Sequence, residues 1–305
     1  MDTNKTNGKL TIPVILTLIS WNTLSASIFP ILIGILYSQY HYHTVNKIDM
    51  AIYFVITIMI HLIVNVLDNL NDFEVAVQHK ADMILNINPI YKSHLNKKQV
   101  LSVIYTLMMI TIFLGIWLVI RTNLILLIIG VVALGIATLY SKIFQNSGIG
   151  ELLSGLTMGF LIVFSGVYIN TFSTVPMSLK EIIEVFIVSL PNTLWIANMM
   201  LANNICDIDY DRKCGRNTYP IRVGIQKAIS AFNWFNVLAF IAIIVAVILK
   251  LIPISMLLTL ILIPFVYKQC RIFKEKQDKA TTFLAAVKIL AIGSLIQFIT
   301  FLVMV

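Results

Sequence analysis

The chain has 305 residues, 59% of them hydrophobic and only 12% charged, with a mean hydropathy of +0.91. Soluble domains carry roughly 25% charged residues, so a water-soluble fold is excluded and lipid must solvate much of the surface. The net charge of +8 raises nucleic acid as a partner, but the placement of the charges along the chain, described below, argues against it.

Nine apolar stretches are long enough to span, each needing about 20 residues. They lack period-two alternation, which predicts helices rather than an outer-membrane barrel. The polar segment 1–9 leads into the first stretch, near 13–37. No small-residue cleavage site follows, so this stretch reads as a retained helix rather than a signal peptide. The second, near 50–70, ends in an Asn/Asp cluster. The third, fourth and fifth run near 99–119, 124–142 and 151–171. The sixth, near 182–204, ends in a second Asn/Asp cluster. The seventh and eighth, near 227–249 and 251–268, are separated only by a tight connection around Lys250 to Pro253, and the ninth runs near 281–303. The shared ending of the second and sixth stretches hints at duplication of a four-helix unit, with a ninth helix added. Cys206, Cys214 and Cys270 form no CxxC pair, so neither a metal–thiolate site nor a disulfide framework is expected. There is no linker or low-complexity segment. The expectation is one all-α, polytopic membrane domain over residues 1–305.

Lys and Arg test this count through the positive-inside rule. With the N-terminus inside, the outer connections hold only Lys47, Arg121, Lys180 and Lys250. Lys288 falls within the last span. All the others of the 22 Lys and Arg residues lie on the inner side. The basic excess is therefore mainly a topology signal, and it makes the cytoplasmic face hospitable to anionic headgroups and diphosphates.

The two clusters lie on that same inner side. Asn65, Asp68 and Asp72 are spaced three and four apart and share one face of a helix, with His61 a turn earlier. Asn203, Asp207 and Asp211 are spaced four and four and form a similar stripe, followed at once by Arg212, Lys213, Arg216 and Arg222. Carboxylates on adjacent turns repel, and near lipid they cost several kcal/mol each unless neutralised. An oxygen-only donor set with no Cys suits a hard cation, above all Mg²⁺, which prefers to bridge carboxylates to substrate phosphates. The flanking Arg and Lys add anion contacts. One such cluster alone is often only a solvated helix terminus. Two at matched depth read as a diphosphate site at a membrane surface. A cation-coupled transporter also keeps intramembrane carboxylates, though more often at mid-bilayer in broken helices.

At these residues the chain resembles the UbiA superfamily of intramembrane prenyltransferases, and within it the 1,4-dihydroxy-2-naphthoate polyprenyltransferases of menaquinone synthesis. The segment from Asn203-Asn204 through Asp207, Asp209, Asp211, Arg212, Lys213, Gly215, Arg216 and Thr218 to Arg222-Val223-Gly224 is similar to that family's second Asp-rich motif. Thr23-Leu24-Ser25-Ala26-Ser27-Ile28-Phe29-Pro30 with Gly34 resembles its opening segment, and Tyr140-Ser141-Lys142 with Gly148-Ile149-Gly150-Glu151-Leu152 also fits. Two departures stand out. Asp68-Asn69-Leu70-Asn71-Asp72 reverses the usual Asn–Asp order, and Ala76 replaces a further acid, for which Glu74 and Asp82 are candidate substitutes. Ser20-Trp21-Asn22 stands where a basic residue is common.

The resemblance implies about nine transmembrane helices around a central cavity open to lipid, in a bacterial cell membrane, with the motifs cytoplasmic. It implies Mg²⁺-dependent transfer of a polyprenyl group from prenyl diphosphate to an aromatic acceptor. That acceptor is 1,4-dihydroxy-2-naphthoate, with 4-hydroxybenzoate or haem as alternatives. Asp68, Asp72, Asp207 and Asp211 become the expected catalytic Mg²⁺ carriers, with Asn65 and Asn203 positioning metal or phosphate oxygens. Asn69 is a further candidate substrate contact, as are Lys142, Arg212 and Arg222 for the diphosphate and Asn22 for the acceptor. His61 reads as a packed helix residue. Asn192 and Asn198 either line the cavity or bond between helices.

Overall fold

The computed structural model describes residues 8–79, 85–144 and 147–305, with the side chains of Ser141 and Lys142 outside that description. Pro13, at the first turn, opens α1 (Ile12–Leu18). The first expected span does not run through. Ser20 sits at φ 47°, in the left-handed region, and a 3-10 turn, Trp21–Thr23, separates α1 from α2 (Ser25–Tyr42). Asn46 accepts the Asp49 backbone N–H and so caps α3 (Lys47–Gln78), which carries the whole first cluster on one continuous helix. The short α4 (Pro89–Lys92) precedes α5 (Lys97–Arg121), opened by an Asn96–Gln99 capping box. Asn123 caps α6 (Leu124–Leu139), which ends in a π turn, Tyr140–Phe144.

The next span is built from α7 (Gly150–Gly155), a π turn over Leu156–Leu161, and α8 (Ile162–Thr171). A Ser178–Glu181 capping box opens α9 (Leu179–Cys206). Two short helices follow, α10 (Ile208–Lys213) and α11 (Tyr219–Val223), before α12 (Ile225–Ile248). Lys250, at φ 58°, makes the expected tight connection. A 3-10 stretch, Ile254–Leu262, then runs into α13 (Ile263–Glu275), and α14 (Phe283–Leu302) closes the chain. No strand occurs among the described residues. Among the described residues, eight helical stretches are long and apolar enough to cross a membrane, and α6 is a shorter apolar helix.

α9 is the hub, packed against α12, α7, its π turn and α14. Trp195, Phe232, Phe273 and Phe301 are fully buried around it. Apolar residues of α5 and α6 such as Phe113, Trp117, Ile128 and Val131 stay exposed, as lipid-facing surface does. Asn192 bonds Gln297 (2.8 Å) and accepts from Ser294 (2.8 Å), so it joins α9 to α14. On the side opposite the Asp clusters, buried Asp49 pairs with Arg121 and Asn46, tying the start of α3 to the end of α5. Lys288 is exposed, less than two turns into α14, within snorkelling reach of the membrane surface.

Close approach of α9 to the α7–α8 span depends on two glycines four apart. A methyl group on Gly155 would stand 2.4 Å from the Thr193 carbonyl oxygen, and one on Gly159 would stand 2.4 Å from the Thr193 Cα. Small residues at this spacing let membrane helices approach backbone to backbone. Gly159→Ala is expected to lower the thermal unfolding midpoint in detergent, through a loss of about 1–3 kcal/mol from overpacking. Gly130→Ala on α6, where the added methyl meets open space, should not lower it.

Candidate active site

The second cluster is not one uninterrupted helix. α9 ends at Cys206, and Asp207, at φ −95° and ψ 7°, is the joint to α10. The hydrogen-bond ladder nevertheless carries across the joint. The Asp207 N–H donates to the Asn203 carbonyl (3.1 Å) and the Asp211 N–H to the Asp207 carbonyl (2.8 Å). The four-residue connection between the acidic groups therefore survives the change of helix. Gly215, at φ 69°, then reverses the chain, a left-handed conformation that glycine adopts without strain. The Arg216 N–H returns to the Asp211 carbonyl at 2.9 Å.

That reversal aims Arg216 at both clusters. One guanidinium nitrogen lies 3.2 Å from Asp211 Oδ1, and the other lies 2.5 Å from Asp72 Oδ1 on α3. The guanidinium is 8% exposed and Asp211 1%, while Asp72 is 41% exposed. Burial pushes the Asp211 carboxyl up to about 6 even though Arg216 pulls it down. Its second oxygen, Oδ2, is buried without a partner.

A second cation closes the other end. Lys279, between α13 and α14, places its ammonium 2.5 Å from Asp207 Oδ2 and 2.5 Å from Asn203 Oδ1. On α3, Asn65 donates to the Ile19 carbonyl (2.9 Å) and Thr23 Oγ1 (3.0 Å), and Asn69 donates to the Leu18 carbonyl (2.9 Å). These amide nitrogens fasten the broken segment between α1 and α2. Any contact to a cation therefore falls to the amide oxygens. His61 bonds Ser27 (2.6 Å) and Thr23 (3.1 Å), a packing role. Asn22 is exposed on the 3-10 turn, and Asp68 is partly buried on α3.

Behind the second cluster lies buried Glu151, in the first turn of α7. It accepts from Asn204 Nδ2 (2.7 Å) and from the Tyr219 backbone N–H (3.3 Å). It thereby ties α9 to the start of α11. The Arg222 side chain covers Gly148, whose added methyl would meet Arg222 Nε at 2.4 Å.

Of the residues expected from sequence, Asp72 and Asp211 meet through Arg216, and Asn203 and Asp207 meet through Lys279. Arg212 is exposed on α10 and joins neither ion pair. The Lys142 side chain and Asp82 lie outside the described residues. Glu74 pairs with Lys97 at 2.6 Å, so its charge is engaged away from the two clusters. The sequence does not single out Arg216 from its basic neighbours, Lys279 from the other inner-side charges, or Glu151 from the rest of its segment. Among the described residues no three His, Cys, Asp or Glu side chains converge as a complete metal cage. The oxygen-only donor set and the partnerless Asp211 Oδ2 fit a cation that brings most of its own ligands, as Mg²⁺ does with water and phosphate oxygens.

A model of the UbiA prenyltransferase family matches residues 27–292. A 1,4-dihydroxy-2-naphthoate octaprenyltransferase of Bacillus subtilis (strain 168) is 26% identical over 215 residues, 68% of this chain. The match spans 65% of that relative's length. A UbiA homologue from Aeropyrum pernix K1 superposes with a TM-score of 0.74 at 17% identity, covering 92% of this chain and 98% of that one. A UbiA homologue from Archaeoglobus fulgidus, bound to GPP and Mg²⁺, superposes with a TM-score of 0.66 at 12% identity, covering 95% and 99%.

Removing the guanidinium leaves buried Asp211 uncompensated. Arg216→Gln is expected to cost about 2–4 kcal/mol, toward the lower part of the range for broken buried pairs because Asp72 is partly solvated. Adding Asp211→Asn to that variant should recover at least half of the loss. Unfolding of both variants in detergent micelles measures the difference.

Proposed function

The chain belongs to the UbiA prenyltransferase family, and we propose that it moves a polyprenyl group from a prenyl diphosphate to an aromatic acceptor, 1,4-dihydroxy-2-naphthoate. The observation that carries this reading is the Arg216 bridge, which draws the acidic face of α3 and that of α9–α10 to one place. The choice of acceptor is supported by the resemblance of the second motif and by the name of the Bacillus subtilis relative. The basic cytoplasmic loops orient the site toward the inner face of a bacterial cell membrane.

In this reading Asp68 and Asp72 on α3 and Asn203, Asp207 and Asp211 on α9–α10 hold Mg²⁺. Bound there, Mg²⁺ would neutralise the diphosphate and stabilise the charge that grows on it as it departs. Arg216 keeps the two acidic faces together and offers donors to phosphate oxygens. Arg222, whose side chain covers Gly148, is a proposed contact of the same headgroup, and Lys142 is proposed with it on the strength of the resemblance alone. The allylic C–O bond breaks with its electron pair going to the pyrophosphate. An electron-rich ring carbon of the acceptor attacks the allylic carbon, and a proton or CO₂ leaves the ring to restore aromaticity. Water, a competing nucleophile, has to be kept from the cation. Asn22, on the turn between α1 and α2, is the proposed acceptor contact, and Asn65 and Asn69 of α3 hold that segment by their amide nitrogens.

Membranes bearing the protein, given Mg²⁺, a long-chain prenyl diphosphate and 1,4-dihydroxy-2-naphthoate, should release pyrophosphate and form a prenylated naphthoquinol, read by mass. Asp207→Ala should lower the rate by roughly 100-fold or more, the usual effect of losing a principal charge-stabilising group. Product with 4-hydroxybenzoate but not with the naphthoate would reassign the acceptor. Absence of pyrophosphate with every acceptor would end the enzymatic reading.

A further inference from the structure

Lys279 is delivered to its position by a braced turn. The Asp278 N–H donates to Thr282 Oγ1 (2.8 Å), while the N–H and hydroxyl of Thr281 donate to Asp278 Oδ1 (2.9 and 2.7 Å). Lys276, the neighbouring lysine, is committed to Asp278 at 3.4 Å. Lys279 instead reaches back to α9, with its ammonium 5.3 Å from the centre of the Phe283 ring, and takes Asp207 Oδ2 and Asn203 Oδ1 together. Its side chain is 38% exposed, against 20% for Asp207, so the cation stands at the solvent edge of the site rather than within the core.

This places a fixed cation on an oxygen that the proposed metal site needs. A carboxylate oxygen does not serve an ammonium and a divalent ion at the same point, because the two cations repel at such range. A lysine can leave. It is a compact charge on a flexible stem with three donors that turn to new acceptors.

We propose that Lys279 is a resident counter-ion of the second motif, which opposes metal binding at Asp207 and moves its ammonium onto the diphosphate when metal and diphosphate bind together. This rests on the reading of the site as a Mg²⁺–diphosphate site. Lys279 then makes the two ligands interdependent. Metal alone has to displace an ion pair, whereas metal with diphosphate offers the displaced ammonium a new anionic partner. By linkage each ligand raises the affinity for the other by the same factor. The device keeps the acidic residues neutralised between turnovers and discourages cation binding without substrate.

The test uses purified full-length protein in detergent micelles, with Mn²⁺ as a spectroscopic substitute for Mg²⁺ followed by electron paramagnetic resonance. An unreactive prenyl thiodiphosphate serves as the second probe at saturating Mg²⁺. Lys279→Gln is expected to tighten Mn²⁺ by about 5-fold or more, the lower end of measured coupling between sites, and to weaken the thiodiphosphate by a similar factor. Lys274→Gln, an equal charge change on exposed α13, should leave both affinities within about twofold of wild type, as expected of a screened surface charge. Unchanged or weaker Mn²⁺ binding in Lys279→Gln overturns the proposal, as does an equal shift in Lys274→Gln. Asp207→Asn separates the two levels of the argument. If it weakens Mn²⁺ binding while Lys279→Gln has no effect, only the counter-ion role is lost. If it leaves Mn²⁺ binding unaltered, the metal-site reading falls as well.

Discussion

One guanidinium holds the functional end of this molecule in register. Two helices that each carry carboxylates would separate in a medium of low dielectric unless a positive group stood between them. Arginine suits that position because its planar fork offers two nitrogens at fixed spacing, one for each acid. Arg216 is set there by the Gly215 turn rather than by a long helix, so a backbone reversal of a few residues aligns elements that lie 144 residues apart in the chain. The remaining polar contacts reinforce this alignment. Glu151 anchors the exit of the second motif from behind, while Asn65 and Asn69 anchor the broken first span from the side.

The parts of this architecture that were legible in the sequence are those written in many residues at once. Apolar stretches average over about 20 positions, so the all-helical, membrane-spanning class survives local error. The acidic residues were also legible, because three- and four-residue spacing is a direct consequence of helix geometry. What escaped depends on a single dihedral angle or on a distant partner. Ser20 breaks the first span by its own backbone conformation, and the polar Ser20, Asn22, Thr23 and Ser25 are too few in a long apolar stretch to set that break apart from an ordinary span. The four-residue spacing of Asn203, Asp207 and Asp211 continues past the end of α9 at Cys206, so it does not mark the joint at Asp207. Arg212, Lys213, Arg216 and Arg222 are alike as letters, and only the turn at Gly215 decides which one points inward. Lys279 is 72 residues from its acid, and no local pattern could rank it above the other basic residues of its loop.

The asparagines show the same division at finer scale. Their presence in the clusters suggested ligands, and Asn203 does share its oxygen with a cation. Asn65 and Asn69 use their nitrogens to hold the backbone of a neighbouring segment, and Asn192 joins two helices far from the acids. The amide group serves architecture and chemistry with different atoms, so a single asparagine can belong to both.

The brevity of α6 bears on the surrounding lipid. Sixteen residues give about 24 Å of helix, against roughly 30 Å of hydrocarbon in an ordinary bilayer. The five residues of the π turn Tyr140–Phe144 must therefore complete that crossing. Any length it leaves uncovered is taken up by tilt or shortening of the neighbouring acyl chains.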